Sequence, residues 1–128
     1  MPRVFLYNIP EGEKLVKIRI AALRSGLTCV SVPPEDFSRP IGTLAGEKGS
    51  APAPTDEKPF SDEMLLMEEM DGAFLDSLRA MGVLIPLKAV LTGQNRQWSS
   101  NALHRELSRE HEAFRKLKPE KKTHRKKH

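Results

Sequence analysis

Cysteine, tryptophan and tyrosine occur once each in 128 residues. A lone cysteine, Cys29, excludes a disulfide framework. It lies in an apolar strand pattern, where a free thiol behaves as a small hydrophobe. No Ser or Cys stands on the strand-to-helix elbow that presents a hydrolase nucleophile. Gly42, Gly46 and Gly49 are not followed by Gly-Lys-Ser, so no phosphate loop is present. No apolar run approaches the ~20 residues of a membrane helix. The N-terminus lacks the basic segment and apolar stretch of a secretory signal. The expectation is a cytoplasmic protein without membrane attachment. His104 and His111 are seven residues apart, ~10 Å along a helix, too far for one metal ion. His124 and His128 stand four apart in a tail with no helical pattern, and no Cys or His spacing fits zinc. No metal, cofactor or catalytic residue is therefore expected, and an enzyme is not the preferred reading.

Charge is unevenly placed. The formal net charge is +4, but residues 115–128 hold eight of the 21 Lys and Arg and one of the 17 acids. Residues 1–114 are thus mildly acidic, with 13 bases against 16 acids. Arguments about nucleic acid apply to the tail and not to the body.

Two halves follow the same order. Val4 to Ile9 reads as a strand apolar on both faces, the pattern of a central strand. Glu11 to Ser25 reads as a helix with Leu15, Val16, Ile20 and Leu23 on one broad face and Gly26 as its stop. Leu27 to Val32 alternates, as a strand with one covered face does, and ends at Pro33-Pro34. Phe37 to Ala45 carries a helix-start signal at Ser38-Arg39-Pro40. Residues 46–62 lack periodicity and read as a flexible linker. Then Met64 to Met67 is a strand apolar on both faces. Asp71 to Met81 is a helix with Phe74, Leu75, Leu78 and Met81 on one face, stopped by Gly82. Pro86 to Leu91 is a fourth strand, its proline suited to an edge or a strand start. Trp98-Ser99 then echoes Phe37-Ser38 ahead of the last helix. Ser99 is placed to cap that helix, and Trp98 with Leu103 to staple its entry. Leu103, Leu107 and Phe114, with His111 near their stripe, are expected to face the body.

This order predicts one α/β domain from two β-α-β-α repeats, residues 1–45 and 63–114, followed by a disordered basic tail, 115–128. The first and third strands belong at the centre of the sheet and the second and fourth at its edges. Right-handed crossovers then suggest a ferredoxin-like sheet with a C-terminal helix. The two long helices share one face, and the terminal and short helices cover the other. A doubly wound parallel sheet is the alternative.

The second half also resembles a known family. The apolar strand Met64 to Met67, Leu-Arg-Ala-Met-Gly at 78–82, and Pro-Leu-Lys-Ala-Val-Leu-Thr at 86–92 carry the likeness. So do Asn95, Trp98 and the acidic positions Glu106, Glu110 and Glu112. Together they resemble the bacterial domain of unknown function 3783 family, over about residues 63–112. Gly93 stands where that family commonly has proline. The resemblance implies a compact bacterial domain and supplies no catalytic residues.

Two sets of residues are candidates for function. Thr92, Asn95 and Trp98 occupy a loop after a strand and before a helix, where ligands often gather in α/β folds. A hydroxyl, an amide and an indole there could hold a small polar ligand or serve an enzyme. The competing reading is that they lock the loop through their own backbone. Lys118, Lys121, Lys122, Arg125, Lys126 and Lys127 could contact RNA phosphates non-specifically, with steep salt dependence. Val4 to Ile9 also looks like the first-strand signature of RNA-recognition-motif domains, whose strand aromatics stack bases. The third strand supplies no aromatic or basic partner for Phe5 and Tyr7, so a core role is preferred. The leading expectation is a non-catalytic binding or regulatory module for an unknown protein or small ligand. An RNA- or ribosome-associated protein is the alternative.

Overall fold

A computed structural model describes residues 2–44 and 58–126, with side chains through Ala113. The strands are β1 (Arg3–Tyr7), β2 (Thr28–Ser31), β3 (Met64–Met67) and β4 (Leu87–Val90). The helices are α1 (Glu13–Ser25), α2 (Ile41–Leu44), α3 (Gly72–Ala80) and α4 (Ser100–Lys126). One sheet has the order β2-β1-β3-β4. As the apolar patterns predict, β1 and β3 are central and the alternating strands are at the edges.

The sheet is mixed. β1 runs parallel to β2, β3 runs parallel to β4, and β1 meets β3 antiparallel, with Phe5 opposite Leu66. The expected ferredoxin-like label therefore needs correction. In that fold the two strands of each β-α-β unit are split by another strand, whereas here they are direct neighbours. The antiparallel centre equally excludes the doubly wound parallel alternative. Each unit closes on itself because its crossover helix lies across its own two strands.

Local chemistry sets the element ends. Asn8 is left-handed at φ 62, which ends β1, and its amide donates to the carbonyls of Phe60 and Asp62. Gly26 adopts φ 74 after α1, a conformation glycine reaches without Cβ strain. Asp71 caps α3 by accepting from the Phe74 amide at 2.9 Å. Ser99 caps α4 by accepting from the Ala102 amide at 3.0 Å. The α4 backbone continues through Pro119 to Lys126, beyond the point where the helix was expected to dissolve. Good helix formers surround that proline, and it withdraws one amide donor from the ladder. Lys127 and the side chain of Phe114 lie outside the described residues, as do residues 45–57 of the linker.

Two apolar layers sandwich the sheet. On one face Val4, Leu6, Leu65 and Met67 pack against Leu15, Ile18, Ala21 and Ala22 of α1 and Phe74 and Leu78 of α3. On the other, Phe5, Tyr7, Met64 and Leu66 pack under Phe37, Ile41, Leu103 and the half-buried Trp98 and Leu107. The first layer corrects the expected face of α1. Leu15 points in, but Val16, Ile20 and Leu23 are 52%, 40% and 78% exposed. The inward stripe uses two alanines, whose small side chains let α1 approach the sheet and α3 closely. His111 is likewise exposed, at the rim of a shallow depression that it lines with Leu107, Pro86 and Leu87.

The two aromatic-Ser segments meet. The Ile41 amide donates to the Trp98 carbonyl at 2.8 Å, and the Asn101 amide donates to the Phe37 carbonyl at 3.1 Å. Each short strand-to-helix entry thus satisfies backbone groups of the other.

Candidate functional site

Thr92 and Asn95 come together, and their polar atoms face each other. The Thr92 amide donates to Asn95 Oδ1 at 2.8 Å, and the Asn95 amide donates to Thr92 Oγ1 at 3.0 Å. This reciprocal bonding has the form of a capping box, here opening the 3-10 turn Asn95–Gln97. Asn95 is buried, and its Nδ2 donates to the Val90 carbonyl at 3.0 Å. The amide is thereby used to tie the loop to the end of β4. Trp98 follows the turn and packs into the second apolar layer. The three residues share a loop, and none of them lines the groove beside α3 described below.

Phe5 and Tyr7 are fully buried, so bases cannot stack on that face of the sheet. Tyr7 Oη bonds Ser100 Oγ at 2.8 Å. Burial drives the phenol up to about 12, with the Ser100 bond pulling the other way. Burial also pushes the Cys29 thiol up, opposed by the nearby Arg19. Neither group is prepared for nucleophilic work at neutral pH.

A third cluster was not legible in the sequence. Phe60 stacks between Phe37, at 4.6 Å between ring centroids, and His104, at 4.2 Å with the rings nearly parallel. His104 Nε2 lies 2.9 Å from Asp62 Oδ2 and 3.4 Å from Ser108 Oγ. A catalytic relay engages the two ring nitrogens with different partners, whereas here one nitrogen meets both groups. The arrangement latches residues 60–62 onto α4. The C-terminal end of the expected linker is therefore docked. A phenylalanine within a proline-rich polar stretch was its one available signal.

A groove lies beside α3. α3, the loop after it and the start of β4 enclose about 420 Å³ lined by Leu75, Leu78, Val83, Ile85, Arg79 and Lys88. Leu84, 77% exposed, and Pro86 form its lip. The size falls in the ~300–1,000 Å³ range of ligand sites. Its two charged groups are both basic. Lys88 Nζ is held by the Ile85 carbonyl at 2.8 Å, and Arg79 by Asp76 at 2.9 Å. The latter is an exposed ion pair, which is weak and readily exchanged. Sequence reading assigned Leu75 and Leu78 to a core face and left Val83 to Ile85 unassigned, because the groove exists only once loop and helix meet.

Among the described residues no group of three or more His, Cys, Asp or Glu could hold a metal ion. None of their helices is long and apolar enough to cross a membrane. Fold and site together define a small α/β domain with a mixed sheet and an apolar, basic-rimmed groove. Residues 63–114 match the family described as Domain of unknown function (DUF3783), the family that Lys-Ala-Val-Leu-Thr, Asn95 and Trp98 resemble. The matched stretch begins at β3 and runs into α4, so it contains the groove. No curated protein and no solved structure matches the chain.

Proposed function

We propose that this protein is a non-catalytic binding module of the bacterial cytoplasm, built by internal duplication of a β-α-β-α unit. The groove beside α3 is its binding surface. The occupant is a short apolar segment of a partner protein that carries acidic side chains. The observation carrying this reading is the groove's chemistry, an aliphatic floor with Arg79 and Lys88 as its charged groups. Leu or Ile side chains would fill the floor, and a neighbouring carboxylate would replace Asp76 on Arg79. Thr92 and Asn95 are better read as a loop lock than as a small-ligand or enzymatic site, because each satisfies the other's backbone.

Fluorescence anisotropy with labelled apolar peptides tests the assignment. An acidic apolar peptide should bind more tightly than its lysine-bearing counterpart. Arg79→Glu with Lys88→Glu should reverse that preference, and Leu84→Asp should weaken both. Equal binding of the two peptides, or none at millimolar concentration, would defeat the proposal.

A second reading concerns the tail. The α4 backbone is helical through Lys126, so Lys118, Lys122 and Arg125 recur at helical spacing. Such a segment would bind RNA phosphates weakly and with strong salt dependence. Salt-titrated RNA binding by the full chain and by a chain ending at Phe114 separates this reading from the first. Equal, negligible binding by both would remove it.

A further inference from the structure

We propose that the chain forms a twofold dimer with a second copy of itself, joined along β2 and α1. β2 has a strand neighbour on one side among the described residues. The amides of Thr28 and Val32 donate to the Pro2 and Leu6 carbonyls on the β1 side. By strand alternation the amides of Cys29 and Ser31 point to the open edge. The two edges of the sheet differ in chemistry. β4 follows Pro86 and carries exposed Lys88, both of which discourage strand addition. β2 reads Thr-Cys-Val-Ser, with no charge and no proline. A four-residue antiparallel pairing of β2 with its copy would make one eight-stranded sheet.

The helix above that edge carries an exposed apolar stripe on its outer side. Val16, Ile20 and Leu23 recur at i, i+4 and i+7 on α1. They are three of the five exposed large hydrophobics among the described residues. Within the chain, antiparallel β1 and β3 carry α1 and α3 side by side on one face. Antiparallel β2 strands would repeat that geometry and set the two α1 helices two strands apart. That is ~9–10 Å, within the ~8–10 Å at which helices pack. The helices would run antiparallel. Glu11 of one copy would then lie beside the C-terminal end of the other, where Arg24 is exposed. The interface is self-complementary, as a twofold contact requires. It leaves the groove on the β4 side open, so it stands apart from the binding reading.

Sedimentation velocity from micromolar to millimolar protein tests this. Wild type should dimerise. Leu23→Glu, and separately Thr28→Lys with Ser31→Lys, should each weaken the dimer at least tenfold without changing circular dichroism. Lys88→Thr at the opposite edge should leave it unchanged. Leu23 is 78% exposed, so its variant folds and decides the matter if the strand variant does not. A wild type that stays monomeric throughout would overturn the proposal. So would a dimer indifferent to Leu23→Glu, or one that responds to Lys88→Thr.

Discussion

Removing one buried hydroxyl should change how stability depends on pH. Tyr7 is fully buried, and its hydroxyl bonds Ser100 Oγ at 2.8 Å, with Ser100 equally buried. Tyr7→Phe keeps the ring packing and deletes the bond. At neutral pH the cost is ~1–2 kcal/mol, combining the lost bond with an under-satisfied serine. Ser100→Ala should cost a similar amount. The double variant should lose less than the sum, because both substitutions remove the same contact. Alkaline conditions separate the two proteins further. Burial pushes the phenol from its ordinary 10.0 in the unfolded chain up to about 12 in the folded one. The folded state therefore retains a proton that the unfolded state releases within that window, and stability falls as pH rises through it. The contribution is intact below 10.0 and lost by about 12. Each pH unit is worth ~1.4 kcal/mol, so ~2–3 kcal/mol is withdrawn across the window. Tyr7→Phe cannot show this loss. Urea denaturation of both proteins across the range should find wild type more stable at neutral pH. The gap should close, then reverse, towards the upper limit. A gap that stays constant with pH would refute the burial of the phenol, and a gap missing at neutral pH would refute the hydrogen bond.

Other substitutions probe the loop, the cap and the latch. Asn95→Ala removes two side-chain hydrogen bonds at a buried position and keeps the one its backbone amide donates to Thr92. It should cost ~2–4 kcal/mol in chemical denaturation while leaving peptide binding at the groove unchanged. Ser99→Ala should cost ~1 kcal/mol, and Ser99→Asp, which can still cap, should restore most of it. Phe60→Ala opens the stack between Phe37 and His104. It should speed limited proteolysis next to residues 60–62 and lower stability by ~2–4 kcal/mol, since the ring is partly buried. Gly26→Ala meets no atom within 4 Å, but φ there is +74. Its cost of ~1 kcal/mol should therefore be purely conformational, read as a shifted denaturation midpoint with an unchanged slope.

Much of the fold is local physics and was legible. The strand Met64–Met67 is apolar on both faces because both faces are covered. Ser99 caps the last helix because its hydroxyl, one residue before the helix begins, has an amide in reach. The face of α1 was misread for a physical reason. Apolar size suggested Leu15, Val16, Ile20 and Leu23, but close packing selected the stripe that contains Ala21 and Ala22. The sheet's mixed pairing was not legible either, since strand character says which strands are central and not which way each neighbour runs. Phe60 and Asp62 reach partners more than 40 residues away, and no local pattern reports such contacts. Thr92 and Asn95 bond each other. Their spacing fits a loop lock and a ligand cradle equally well, and the hydrogen-bond geometry favours the lock. The groove could not be read at all, because Leu78 and Val83 are core residues that line it only once α3 and the loop after it meet.

The groove assignment is tested most directly by amide chemical-shift mapping with an acidic apolar peptide. Perturbations should concentrate at Leu75, Arg79, Leu84 and Lys88 and leave Thr92, Asn95 and Trp98 at their free positions. Perturbations centred on the Thr92–Trp98 loop would contradict the account.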